Sequence, residues 1–536
     1  MSAPADLLIE NARLWTDGAS VPGADAIAIT GRAIAAIGPR AELRRRAGSG
    51  TLVIDARGGT VTPGLWDAHI HLLPWARART EIDLLGATSR ADMCERVRAH
   101  LAAHPGDAPV VGRGWDADGW RERPERAALD ALAGARPVLL HSKDFHALWV
   151  NGAALVAAGI DARTPDPPGG MIERDASGAP TGVLRETAVR PFRVLEDRAA
   201  RAAGDEPALL ADAARAMHAL GITGVHDFER TEAAFGAMER FARGAGPRLR
   251  VLQCVGPDEL GAALGRGLAS GMGDEHFRVG ALKLFADGTL GSRTAAMLAP
   301  YDDVATSGIE VLPPRELAAL VARGLDLGFA VAVHAIGDRA CRNTLDAFDR
   351  AGAAARSRPA LPNRLEHAQL VSPADLPRFA ALGVVASVQP LHCPSDANAA
   401  RRAWGGRINH SYPWRELLDH GAVLAFGSDA PVEPPSIAAT LFAACTRLES
   451  GAPAAPAFVP EQCVTLDQAL RASTEVPARL ADLWPRVGSL RAKGLADVVI
   501  WNRDLAAAGP ERLHEARPSC TVWDGIPVHG PHAVRA

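Results

Sequence analysis

Short apolar runs of strand length, each bounded by Gly, Pro or Asp, open the chain at residues 7–12, 26–30 and 34–38. The same pattern returns near the C-terminus, at residues 494–501 and 520–523. Two β-rich ends around a long centre predict that residues 1–60 and 486–536 together build one composite β-sandwich domain. The centre, residues 61–485, alternates apolar runs with Ala/Leu/Arg-rich helical stretches, which is a βα pattern. Its candidate strands are residues 61–71, 224–228, 249–255, 279–285, 330–336, 364–370, 384–389 and 423–429. Eight such strands suit a closed (β/α)8 barrel of the α/β class. About 150 residues separate the first strand from the second, far more than one connecting helix needs. The excess reads as an inserted segment, about residues 75–205, expected to decorate the barrel mouth. It contains Pro165-Asp-Pro-Pro-Gly-Gly170, a stiff turn unsuited to a helix or strand interior.

Composition narrows the class. Of 536 residues, 48% are hydrophobic and 22% charged, which excludes disorder or a fibre as the main state. The net charge is −4, and no basic run exceeds Arg44 to Arg46, so no nucleic-acid partner is expected. The N-terminus lacks a basic segment leading into an apolar core, and no apolar stretch reaches the ~18 residues of a membrane span. Seven cysteines lie singly, without a C-x-x-C pair. That argues against a disulfide framework or a structural zinc cluster and predicts a reducing, cytoplasmic setting.

The chemistry begins at Asp67-Ala-His69-Ile-His71, the end of the first candidate strand. Side chains at i and i+2 of a strand share a face. Two imidazoles can therefore converge on one metal at the strand's C-terminal end, where barrel enzymes place their sites. Four later strands also end in a potential ligand: Lys283, His334, His367 and Asp429. A lysine between apolar neighbours is costly if charged and unpaired. Considered alone, Lys283 reads equally as half of a buried ion pair with Glu366 or Asp429. Trp66, Trp75, Trp115, Trp120, Trp149 and Trp404 fall in or near segments expected at the mouth, favouring an apolar or aromatic substrate group. Each of them also reads as core packing. Met297, Leu298 and Tyr301 are candidates for the same rim. Trp75, Trp115, Asp287, Arg293, Gln389 and His392 are the candidate substrate contacts. Asp287 and Arg293 read more simply as an ion pair that organises the loop after the fourth strand. His146 reads either as packing of the insert or as a second donor to the substrate oxygen. Cys393 as a nucleophile is disfavoured.

The order H-x-H, Lys, His, His, Asp on successive strands resembles the metal-dependent amidohydrolase superfamily. The run from Lys283 to Thr294, Lys-Leu-Phe-Ala-Asp-Gly-Thr-Leu-Gly-Ser-Arg-Thr, is similar to the branch containing N-substituted formamide deformylase and the YtcJ-like proteins. Further matches to that branch are Ser142-x-Asp144-x-His146-x-x-Trp149-x-Asn151, Pro180-Thr-Gly-Val-Leu-Arg-Glu186, and Ser387-Val-Gln389-Pro390 followed by Ser395-Asp396. The resemblance spans about residues 7–501. It implies two divalent ions: His69, His71 and Asp429 holding the more buried one, His334 and His367 the second. Lys283, carbamylated by CO2, would bridge them. Such ligands suit Zn2+, with Mn2+ or Fe2+ also fitting.

The implied reaction is hydrolysis of a C–N bond in a small amide or N-substituted formamide by a metal-bound hydroxide. Asp429 would shuttle the proton, and His146 would assist at the oxyanion. The alternatives are a deaminase or cyclic-amide hydrolase, or a decarboxylase on the same scaffold. A non-catalytic scaffold is least favoured, since all six ligand positions are occupied. A small-molecule substrate is the expected partner, and a symmetric homodimer is the base-rate expectation.

Overall fold

The computed structural model describes residues 4–16, 23–115, 120–143, 147–167, 170–352, 360–450 and 456–533. Eight strands dominate: β1 (Leu65–Ile70), β2 (Ile222–Asp227), β3 (Arg250–Val255), β4 (Phe277–Phe285), β5 (Val331–Ala335), β6 (Arg364–His367), β7 (Val385–Val388) and β8 (Leu424–Phe426). They pair in sequence order, each with its neighbour and all in parallel. β1, β2 and β3 are buried along their whole length. Strands covered on both faces read as near-continuous apolar runs, which is why the pattern exposed them. The α/β barrel is thus present. Its seam between β8 and β1 carries no ladder among the described residues. The Asp429 N–H donates to the His69 carbonyl (2.7 Å) and the His71 N–H to the Ala430 carbonyl (2.9 Å). Gly427 permits that approach: a Cβ there would lie 2.4 Å from the His69 nitrogen.

The first expected strand, residues 61–71, is in fact two. Thr60–Pro63 belongs to another sheet, and β1 starts only at Leu65. Pro63 has no N–H to continue a ladder. Gly64 then fits a gap where a Cβ would sit 2.2 Å from Thr223 Oγ1. The expected strand 364–370 stops at His367, where φ turns to +76°, followed by +44° at Ala368. Helices between strands show the stripe that a barrel requires. In Glu232–Arg243, Thr231 caps the Ala234 N–H, while Phe235, Met238 and Ala242 are buried along one face.

Two smaller sheets belong to the same compact unit, which comprises residues 1–72 and 210–536. One has the order Ala33–Gly38, Ala26–Thr30, Ala5–Glu10, Ala47–Asp55. The other joins N-terminal strands Arg13–Leu14 and Thr60–Pro63 to C-terminal strands Val498–Trp501, Pro518–Trp523 and Ile526–His529. Leu7, Ile9, Ile27 and Ile54 of the first share a core with Val61, Val498, Ile500 and Val522 of the second.

The second unit, Leu73–Leu209, has its own six-stranded sheet and apolar cores. Four of the tryptophans discussed above lie in it. Trp115 and Trp149 meet edge to face at 6.2 Å within its core. The Trp115 indole N–H donates to the Leu140 carbonyl (2.7 Å), and that of Trp120 to the Ala87 carbonyl (3.2 Å). Trp75 is buried beneath the Arg79 guanidinium, 5.1 Å from its ring. For Trp115 and Trp149 the core reading describes the structure. Among the described residues no helix is long and apolar enough to cross a membrane.

Candidate metal centre

The C-terminal ends of β1, β5, β6 and β8 bring together residues that lie far apart in sequence. His69 Nε2 lies 3.4 Å and His71 Nε2 3.5 Å from Asp429 Oδ1. The His367 ring is 5.1 Å from that of His69 and 4.4 Å from that of His334. His69, His367 and Asp429 form the tightest set: one donor atom from each, all within 4.8 Å of one another, all buried. The resemblance implied two sets, His69, His71 and Asp429 around one ion and His334 and His367 around the other. His367 is held in the left-handed region, with φ +76°. Asp429 is also left-handed, with φ +59°. Two non-glycine residues held there at strand ends are strained, and such residues gather at functional sites.

Asp67, the first residue of the D-x-H-x-H run, is a brace. It accepts from the Ser428 hydroxyl (2.5 Å), the Ser428 N–H (3.0 Å) and the His69 N–H (3.1 Å), tying β1 to the residues after β8. Burial pushes its carboxyl up to about 6.

Each histidine has one ring nitrogen already engaged. His69 Nδ1 donates to Glu366 Oε2 (2.7 Å), and His71 Nδ1 to Glu229 Oε1 (2.7 Å). His367 Nδ1 donates to Gln389 Oε1 (2.8 Å), and His334 Nε2 to the Gly288 carbonyl (3.0 Å). A carboxylate, an amide oxygen and a carbonyl can only accept, so each engaged nitrogen carries the proton. For His69, His334 and His367 the opposite nitrogen is left with a lone pair, the form that binds metal. Burial lowers His69 to about 4 and His334 to about 3, and holds His367 well below its ordinary value, so these rings are neutral. His71 differs. Burial opposes its charge, yet Asp429 and Glu229 outweigh burial and push it up to about 10. A divalent ion bound there would displace that proton.

Behind the ligands lies a second layer of charge. The Arg364 Nε is 2.8 Å from Glu366 Oε1, and the same guanidinium donates to the Ala68 carbonyl (2.6 Å) and Ser387 Oγ (2.6 Å). Burial opposes the charge on Glu366, but Arg364 and His69 hold its carboxyl down at about 2. Lys283 on β4 is 1% exposed, with Nζ 4.7 Å from the Phe228 ring centre and 4.9 Å from that of Phe285. Its ammonium has no hydrogen-bond partner among the described residues, and burial lowers it to about 8. The ion-pair reading of Lys283 therefore gives way: Glu366 spends its contacts on Arg364 and His69.

The expected substrate contacts divide. Gln389 orients His367. Asp287 accepts from the backbone N–H groups of Gly337 (2.8 Å), Ala296 (2.9 Å) and Ile336 (3.1 Å), and burial pushes it up to about 7. It organises the loop as expected, but not through Arg293, which pairs with Asp303 at 2.5 Å. The Arg293 guanidinium is bound by the acid that its own loop brings back ten residues later. His392 does face the centre, with Nε2 3.9 Å from Asp429 Oδ2 and its ring parallel to His367 at 6.1 Å. Trp75 and Trp115 belong to the second unit. Met297 and Tyr301 are buried in the loop, Leu298 is exposed, and Trp66 and Trp404 are fully buried. His146 lies outside the described residues. Sequence reasoning missed Glu229, Arg364 and the Gly288 carbonyl. Glu229, an acid two residues beyond β2, and the Arg-x-Glu-His run of β6 were the available signals.

The donor set fits divalent transition metal: neutral imidazoles with fixed lone pairs, a carboxylate that reaches two of them, and an unpartnered amine. Comparisons with known proteins give the family. The family model described as the amidohydrolase family matches residues 52–529. The N-substituted formamide deformylase of Arthrobacter pascens is 31% identical, the alignment covering 98% of each chain. Protein LONG AFTER FAR-RED 3 of Arabidopsis thaliana is 32% identical over 92% of this chain and 87% of its own. The crystal structure of an uncharacterized metal-dependent hydrolase from Pyrococcus horikoshii superimposes with a TM-score of 0.75 at 27% identity, covering 94% of this chain and 98% of that one. Fold, ligand geometry and sequence likeness over nearly the whole length converge: the chain belongs to the amidohydrolase family.

Proposed function

We propose that this protein is a metal-dependent hydrolase that cleaves the C–N bond of a small amide or N-substituted formamide with an apolar N-substituent. One observation carries the reading: four histidines at one end of the barrel each have a nitrogen engaged by an acceptor, leaving the other for an ion. The assignment is two divalent ions, zinc by preference, held by His69, His71, His334, His367 and Asp429. Lys283 is the bridging residue. Its amine adds to CO2 and loses a proton to form a carbamate, for which a buried amine with a lowered pKa and no partner is suited. When bound, such ions supply Lewis acidity, acidifying water and polarising a carbonyl.

The chain's own residues do the rest. Asp429, in contact distance of both His69 and His71, takes the proton of the attacking water and returns it to the leaving nitrogen. Glu366, Glu229, Gln389 and the Gly288 carbonyl hold the imidazoles in one tautomer and orientation. The 31% identity to a formamide deformylase over 98% of both chains supports the choice of bond.

The test is metal content by plasma mass spectrometry on the purified protein, followed by hydrolysis assays with N-alkyl and N-aryl formamides and amides. About two ions per chain together with amine release supports the reading. One ion removes the bridging role of Lys283. A fully loaded protein inert towards every amide and formamide overturns the reaction.

A further inference from the structure

Beside the metal ligands, the buried atoms Gln369 Oε1 and His392 Nε2 have no hydrogen-bond partner among the described residues; His392 Nε2 approaches Asp429 Oδ2 only to 3.9 Å. Both residues are nearly closed to solvent, at 3% and 7% exposure. Gln369 follows His367 by two positions, and His392 stacks parallel to the His367 ring at 6.1 Å. The two side chains touch each other, Gln369 Nε2 lying 3.4 Å from His392 Nδ1. That contact fixes what remains. If the amide N–H donates, Nδ1 is the acceptor, so Nε2 carries the ring proton and Gln369 Oε1 is a bare acceptor. If the amide is turned over, Oε1 takes the Nδ1 proton, leaving an amide N–H and a bare Nε2 lone pair. Either assignment leaves at least one donor and one acceptor, both shielded from bulk water. Unmade hydrogen bonds at buried atoms are unfavourable, so an incoming group with the complementary pair gains where an apolar one does not.

We propose that Gln369 and His392 form a clamp for the substrate's own C=O and N–H, selecting amides that keep a hydrogen on nitrogen over N,N-disubstituted amides and esters. The donor of the pair meets the carbonyl oxygen and the acceptor meets the N–H. This deepens the hydrolase reading and rests on it for the position of the carbonyl. It names a substrate class: secondary and primary amides, formamides and lactams.

The experiment is calorimetric binding of 2-piperidinone and 1-methyl-2-piperidinone to the zinc-loaded full chain, with zinc content measured in parallel. The lactam presents C=O and N–H on one edge, and its N-methyl counterpart lacks the donor. Wild type should bind the N–H lactam about tenfold or more tightly. Of the variants Gln369→Leu and His392→Phe, the one that removes the acceptor should bring that ratio close to one. The one that removes the donor should weaken both lactams together, with zinc content unchanged in each. Equal binding of the two lactams by wild type, no binding of either, or a ratio that neither variant alters overturns the clamp. Formamide hydrolysis is scored separately. Lost turnover with retained lactam discrimination refutes the reaction and spares the clamp; turnover that ignores N-methylation does the reverse.

Discussion

Two groups of buried charges in the barrel unit are built from similar residues and finished differently. Near the start of β3, the wholly buried Arg250 bonds Asp497 through Nε (2.5 Å) and a terminal nitrogen (2.9 Å). It also reaches Asp524 (3.2 Å) and the Glu275 carbonyl (2.9 Å). Arg32 closes the set on Asp524 at 2.7 Å, and the Asp524 N–H donates to Asp497 at 2.8 Å. At the opposite ends of the strands, Lys283 Nζ, Gln369 Oε1 and His392 Nε2 are also buried but have no hydrogen-bond partner among the described residues. Complete pairing marks a joint, here between the barrel and the C-terminal sheet. Incomplete pairing marks a place built to receive something. A buried polar group without a partner is destabilising, and others such as Trp149 Nε1 and Thr344 Oγ1 occur elsewhere in the fold, but here three of them gather beside the metal ligands.

The comparison can be broken most decisively at Asp429. Asp429→Asn should keep part of the metal and lower turnover about 10³-fold or more, because Asn cannot accept the proton. Steady-state kinetics with metal analysis checks this, and normal turnover would remove the shuttle role. Next in size is the paired cluster. Arg250→Met leaves the buried Asp497 without its cation and Asp524 with only Arg32 of its two arginines, and should cost about 3–5 kcal/mol of stability. Urea denaturation reads that loss, while the folded variant retains its metal content. Glu366→Gln tests the layer behind the ligands. Metal affinity should fall about 10- to 100-fold in a chelator competition, and the unfolding midpoint should fall as well, because the buried Arg364 loses the carboxylate it pairs with.

The smallest effect sharpens the contrast through pH. Burial opposes the charge on Asp524, but His276, Arg32 and Arg250 hold its carboxyl well below the usual range. A carboxylate depressed in the folded state adds stability above its unfolded value, near 3.9, and loses it as pH falls towards the folded one. Asp524→Asn should therefore flatten the acid limb of the stability curve below about pH 4 and leave the neutral region's slope unchanged. An unaltered acid limb would show that this pairing contributes nothing.

Much of the site was legible because its chemistry is coded in residue type at strand ends. His69, His71, His334, His367 and Asp429 were picked out as candidates from their place at the ends of apolar runs, and the structure brings them to one end of the barrel. The eight strands were legible because burial on both faces leaves continuous apolar runs. The tryptophans misled for a related reason: an indole suits a core and a binding rim equally, and Trp115 and Trp149 went to the core.

The sequence by itself determined the strand order, the barrel class and which side chains could ligate. Local composition carries these, through periodicity and through the donor atoms each residue owns. Tertiary structure alone decided which partner each group received. Glu366 went to His69 rather than Lys283, Arg293 to Asp303 rather than Asp287, and His367 turned out of its strand to join His69 and Asp429. Hydrogen bonds between residues 297 positions apart, as His69 and Glu366 are, depend on register and backbone turns to within about an ångström. No local pattern along the chain encodes that precision.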